Sequence, residues 1–161
     1  SAAAPPSRKP CGFPRNWMSE VHSINHGEHG GHGENLLRDC ADALIDIVLD
    51  AATEVHRMLG PGLLESVYEK ALAIELTERS IAFVCQRPVP AMYRGHDLGI
   101  GFRADMIVEE CLLLEIKAVD DWTPAHLSQI ITYLRLLNLK RGYLLNFNKR
   151  LLKDGIKRVS I

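Results

Sequence analysis

No run of apolar residues in this chain approaches the roughly 20 needed to span a bilayer. Its first residues also lack the apolar core of a secretory signal. The four cysteines, Cys11, Cys40, Cys85 and Cys111, include no CxxC pair. That spacing argues against a zinc site and a disulfide framework, and reduced thiols suit a cytoplasmic protein. Strong positive charge is missing too: the formal net charge is −1, on its face a poor balance for binding a polyanion. What is present is 161 residues, 47% hydrophobic and 24% charged. That is enough for one globular domain with a real core.

The near-neutral total hides an asymmetry. From Leu36 to Leu134 there are 8 Lys and Arg against 16 Asp and Glu, a balance of −8. From Arg135 to Ile161 there are 8 basic residues against Asp154 alone, a balance of +7. A basic end beside an acidic body suits a polyanion approaching a site of carboxylates and metal. A solvated basic tail is the alternative.

Residues 1–34 carry Pro5, Pro6, Pro10, Pro14 and the run His26-Gly-Glu-His-Gly-Gly-His-Gly33. Such composition cannot offset its ordering entropy, so a disordered leader is expected, with the folded domain over residues 35–161. His22, His26, His29 and His32 would bind a transition metal adventitiously, since no element fixes their rings.

The domain is organised around Arg103-Ala-Asp-Met-Ile-Val-Glu-Glu-Cys-Leu-Leu-Leu-Glu-Ile-Lys-Ala118. It predicts two apolar strands around a Glu109-Glu110-Cys111 turn. Alternation sends Leu114, Ile116 and Ala118 to one face and Leu113, Glu115 and Lys117 to the other. Charged residues are almost never fully buried unless paired, so Asp105, Glu115 and Lys117 need a reason. One reading is a cross-strand ion pair. The other is a site where Asp105 and Glu115 converge on a hard cation such as Mg²⁺ or Mn²⁺, and Lys117 orients or deprotonates a water there. Asp followed ten positions on by Glu-x-Lys resembles the D…ExK signature of the PD-(D/E)xK nuclease superfamily.

The flanking segments supply context. A long helix is expected from an N-cap at Asn35, with Leu37, Ala41, Leu44, Ile47 or Val48, Ala51, Val55 and Met58 at helical spacing. Gly60-Pro61-Gly62 stops it. A second helix covers about Leu63 to Arg79. Its opening, Gly62-Leu-Leu-Glu65-Ser-Val-Tyr68, is a GxxExxY motif similar to that of the GxxExxY family within the same superfamily. The bland account has Glu65 complementing the helix dipole and Tyr68 packing in the core. The resemblance instead implies Glu65 as a third metal carboxylate and Tyr68 near the substrate.

Strand-like segments follow from Ile81 to Tyr93 and from Leu98 to Val108, giving a meander with Cys111 to Ala118. Thr123-Pro124 starts a helix running to about Leu137, with Leu127, Ile130, Ile131, Leu134 and Leu137 as its buried stripe. Gln129 and Tyr133 share one edge of it, and His126 reads as a surface or capping residue. This QxxxY looks like a motif that follows the ExK strand in some superfamily exonucleases, which implies contacts with the substrate backbone. Arg141 to Phe147 reads as a parallel core strand, and a turn and final short strand close the chain.

The resemblance spans roughly Leu36 to Ile161 and implies a restriction-endonuclease-like α/β fold, a mixed central sheet flanked by helices and preceded by an αα-hairpin. It implies metal-dependent hydrolysis of phosphodiester bonds in nucleic acid, DNA favoured, with a homodimer or a partner protein supplying specificity. Arg141, Lys149 and Arg150 are the expected phosphate contacts. A catalytically weak nucleic-acid-binding or protein-interaction module of the same fold is the alternative.

Overall fold

The computed structural model describes residues 37–161; the leader reading and the expected N-cap at Asn35 fall outside them. The first helix, α1, runs from Asp42 to Leu59, starting later than its periodicity suggests. The residues before it are taken up elsewhere. The Arg38 N–H donates to the Asn138 carbonyl (3.0 Å), and the Lys140 N–H donates to the Arg38 carbonyl (2.9 Å). Its buried stripe is Ile45, Val48, Ala51, Ala52, Val55 and His56, and Met58, expected inside, is exposed. Gly60 ends α1 with a left-handed φ of 67°, a conformation glycine takes without steric cost. Helix α2, Glu65–Glu78, completes the αα-hairpin.

Five strands then form one sheet in sequence order: β1 (Phe83–Tyr93), β2 (His96–Val108), β3 (Leu112–Lys117), β4 (Arg141–Asn146) and β5 (Ile156–Ser160). Only β3 and β4 are parallel, as the intervening helix α3 (Pro124–Leu137) requires; the other neighbours are antiparallel. The strand-like segment from Ile81 to Tyr93 is one strand, β1, beginning at Phe83. Pro88 and Pro90 are tolerated because β1 lies at the sheet edge, where a missing N–H breaks no second ladder.

Helices cover both faces. Leu112, Leu114 and Ile116 join Met106, Tyr143, Leu145 and Phe147 in a core with residues of α1 and α2. Leu113, Ile107 and Leu144 join Ile130, Leu134 and Leu137 of α3 in a second core. Strand β3 is therefore buried on both faces, which is why it reads as nearly continuous hydrophobe. This is the restriction-endonuclease-like α/β arrangement. Helix α3 begins as its sequence predicts: the Thr123 hydroxyl accepts from the His126 N–H, and the His126 ring accepts from the Thr123 N–H.

Candidate metal centre

The two parallel strands end at the same side of the sheet, and the charged residues gather there. Beyond Met106, strand β2 parts from β3, their pairing being limited to Met106–Val108 against Leu112–Leu114. The Ile116 N–H would otherwise face the gap without a strand partner. The Asp105 side chain takes that place, its Oδ2 accepting from the Ile116 N–H at 2.9 Å. The carboxylate is thus fixed beside Glu115 on the neighbouring strand.

Glu115 is 3% exposed, and its Oε1 is buried with no hydrogen-bond partner. Its Oε2 lies 3.7 Å from Lys117 Nζ. Burial pushes the Glu115 carboxyl up to about 8, reinforced by the charge of Asp105 and opposed by that of Lys117. Burial also raises Asp105 above the ordinary carboxylate value, against the pull of the Ile116 N–H and Lys117, while Glu65 adds like charge.

Glu65 arrives from another direction. As the first residue of α2 it reaches across to the end of β3, where its Oε1 accepts from the Ala118 N–H at 3.1 Å. Carboxylates from α2 and β2 thus each bond the backbone at the end of β3, where Glu115 and Lys117 also sit. Self-repelling, partly desolvated carboxylates and an orphan buried oxygen suit a hard divalent cation, which takes oxygen ligands. Among the described residues, no three or more His, Cys, Asp or Glu groups are drawn close enough to form a ready cage. Mg²⁺ does not need one, because it commonly uses one or two carboxylates and completes its shell with waters and substrate phosphate.

The QxxxY pair lies on the same side. Gln129 Nε2 donates to the Tyr133 hydroxyl at 2.5 Å, and the Tyr133 ring stacks on Phe102 of β2, centroids 3.4 Å apart. Burial raises the Tyr133 hydroxyl above its ordinary value, and the Glu115 and Asp105 charges add to the rise. With His126 and Thr132 the pair lines a shallow concavity.

Two expected site residues do not reach this centre. Tyr68 is fully buried and stacks on Phe147 with centroids 4.4 Å apart. Its hydroxyl donates to the Gly60 carbonyl (2.7 Å) and accepts from the Leu63 N–H (3.1 Å), so it braces the αα-hairpin turn rather than touching substrate. Arg141 begins β4, where it pairs with Leu112, while Lys117 pairs with Asn146 at the other end. Those five residues separate Arg141 from the centre by about 17 Å. Arg141 is held by Asp39 (2.6 Å) and Asp42. Lys149 does lie at the site end, but its Nζ is paired with Asp121 at 2.7 Å. Arg150 is exposed and, among the described residues, makes no ion pair.

Three contributors escaped the sequence reading. Gln86, at φ 54° within β1, donates to Glu69 (2.5 Å) and to Asp105 Oδ1 (3.3 Å). Nothing in its neighbourhood announces a left-handed strand residue. Asn146 is fully buried; it donates to the Val119 carbonyl (2.7 Å) and accepts from the Val119 N–H (3.1 Å), tying down the chain after Lys117. A lone amide closing an apolar strand was its available signal. Phe102, the platform beneath Tyr133, looked like any strand aromatic.

Among the described residues no helix is long and apolar enough to cross a membrane. No curated protein and no solved structure matches the chain. The family model for the PD-(D/E)XK nuclease superfamily matches residues 42–159, from the first residue of α1 to the last strand, and the chain belongs to that superfamily.

Proposed function

We propose that this protein is a metal-dependent nuclease that hydrolyses phosphodiester bonds, using Mg²⁺ or Mn²⁺, with DNA favoured over RNA. The observation that carries the reading is Glu115. A buried carboxyl with one orphan oxygen, beside Asp105, is costly to ionise within a fold unless a cation uses it. Gly62 to Tyr68 further supports a place in the GxxExxY group. We place it in the cytoplasm, the setting that suits four cysteines spaced without a CxxC pair.

When bound, the cation polarises the scissile phosphate and offsets the charge developing on it. Asp105 and Glu115 would hold it, and Glu65 adds a third carboxylate from α2. The Ile116 and Ala118 N–H groups keep Asp105 and Glu65 from swinging away. Lys117 sets a positive charge where the attacking water must lose a proton, lowering the cost of hydroxide or stabilising the pentavalent phosphorus. Gln129 and Tyr133 position the backbone, with Arg150, and Lys149 once released from Asp121, attracting it.

The test is to incubate the purified protein with labelled single- and double-stranded DNA and RNA in Mg²⁺, Mn²⁺ or EDTA. Cleavage is expected with either ion and none with EDTA. Binding without cleavage in every combination would leave the non-catalytic module as the better reading.

A further inference from the structure

Strands β1 and β2 continue well past the sheet they belong to. β1 spans 11 residues and β2 13, whereas β3 has 6 and pairs with β2 over three positions only. From Arg87–Ala104 out to Tyr93–His96 the two strands pair with each other alone, a ribbon of roughly 20 Å at strand rise. Two-stranded ribbons are marginal by themselves, and this one exposes its apolar side chains: Met92 (47%), Tyr93 (58%), Leu98 (66%) and Ile100 (59%). Exposed apolar groups so concentrated mark a contact surface.

The ribbon is built to hold its shape. Two register shifts mark it at Val89/Pro90 and Pro90/Met92. At Gly101 a side chain would meet Ala91 Cβ at 2.8 Å, so only glycine lets the strands come this close. Asp97 Oδ1 accepts from the Gly99 N–H at 2.7 Å, which spends the ribbon's one acid on its own turn.

Charge and position select the partner. Residues 87–103 hold Arg87, Arg94 and Arg103 against Asp97, a balance of +2 within the stretch Leu36–Leu134 that totals −8. Arg87 is paired with Glu110, Arg94 lies over the Tyr93 ring at 5.4 Å, and Arg103 makes no ion pair among the described residues. The ribbon's base is part of the proposed site: Phe102 stacks on Tyr133, and Asp105 follows two residues after Arg103. A polyanion lying on the ribbon would therefore run into the carboxylates.

We propose that the β1–β2 ribbon is a substrate-binding arm that lies in the major groove of duplex DNA, with Arg94 and Arg103 on phosphates and Leu98 and Ile100 against base edges. The groove of B-form DNA, about 12 Å wide, admits a two-stranded ribbon, and thymine methyls offer apolar contact. The narrow major groove of an A-form RNA duplex does not. This inference rests on the nuclease reading for its substrate class, but binding and cleavage are read separately.

The experiment is anisotropy of labelled duplex DNA, the matching single strand and duplex RNA, titrated with the full chain in EDTA over a range of salt. Wild type should prefer duplex DNA. Each of Arg94→Ala and Arg103→Ala should lower the slope of log affinity against log salt by about one. Leu98→Ser with Ile100→Ser should weaken duplex binding by about tenfold, the scale of one lost recognition contact. Melting temperature should hold in all three, because these side chains are exposed. Unchanged affinity and slope in the variants would overturn the arm even if the wild type cuts DNA. Loss of self-association by light scattering in the double serine variant, with duplex binding intact, would also overturn it in favour of contact with a second copy. If the wild type never cuts, yet the variants lose duplex binding as stated, the arm stands and the nuclease reading falls.

Discussion

Glu115 carries a conflict that can be read out by pH. An unfolded chain releases its proton near the ordinary glutamate value of 4.5, while the folded protein keeps it to about 8. Between those values the folded state binds the extra proton. The contribution of Glu115 to the stability of the metal-free protein is therefore fullest below about 4.5 and is lost as pH rises through about 8. Asp105, also raised, steepens the fall. Thermal melts in EDTA should show the decline, and Glu115→Gln should flatten it; a pH-independent melting temperature in the wild type would mean that Glu115 is not desolvated as found. Because a cation binds the deprotonated pair, added Mg²⁺ should stabilise more on the alkaline side of 8 than on the acid side. Lys117 answers a second question. Lys117→Met keeps most of the stem packing and removes the charge. Metal binding by calorimetry should survive, while cleavage should fall by ~10²-fold or more. A folded variant that cuts as well as wild type would remove Lys117 from the chemistry.

At the scale of elements, two devices bring the carboxylates together, and each depends on one side chain. The first is the αα-hairpin turn, where the Tyr68 hydroxyl satisfies Gly60 and Leu63 and so sets where α2, and hence Glu65, begins. Tyr68→Phe should cost about 0.5–1.5 kcal/mol by denaturant titration, since it removes two hydrogen bonds from a part-buried turn whose backbone groups water can still reach. Cleavage by the folded fraction should be close to wild type. A selective loss of substrate affinity without loss of stability would restore Tyr68 to the substrate site. The second device is the parting of β2 from β3, capped by Asp105 on the Ile116 N–H. Asp105→Ala removes this cap and also removes a like charge from Glu115, so its effect on stability in EDTA is a balance of opposed terms. Its effect on metal is not: calorimetry should find Mg²⁺ binding lost. Retained binding of wild-type strength would move the ion elsewhere.

For the whole molecule, the basic stretch from Arg135 to Ile161 is divided between the two ends of the sheet. Arg141 is spent on Asp39 and Asp42 at the end away from the carboxylates, whereas Arg150, beyond the site end of β4, makes no ion pair among the described residues. Under the proposed function, a polyanion bound at the carboxylate end would meet Arg150 and not Arg141. Arg150→Ala should thus lower the salt slope of nucleic-acid binding by about one, and Arg141→Ala should leave it unchanged. Equal effects from the two would mean that binding is spread over the surface rather than directed to one end.

The local sequence determined the elements, because each is set by interactions a few residues apart. Gly60-Pro61-Gly62 stops a helix, Thr123-Pro124 starts one, and a helix between two apolar strands dictates that β3 and β4 run parallel. Alternation along β3 likewise assigned Leu114 and Ile116 to one core and Leu113 to the other. The spacing of Asp105, Glu115 and Lys117 marked the proposed site, since charges inside so apolar a run need a reason, either an ion pair or a shared ligand. What the sequence could not decide was which of several equally polar side chains reach that site. The GxxExxY resemblance placed Tyr68 there and its charge placed Arg141, yet the direction of α2 turns the one into the core and the direction of β4 carries the other to the far end. Gln86 was invisible because its role depends on a left-handed backbone and on two partners, Glu69 and Asp105, that are distant in sequence. Those outcomes belong to tertiary structure, where strand polarity, register and the departure of β2 from β3 determine which distant groups share a few ångströms of space.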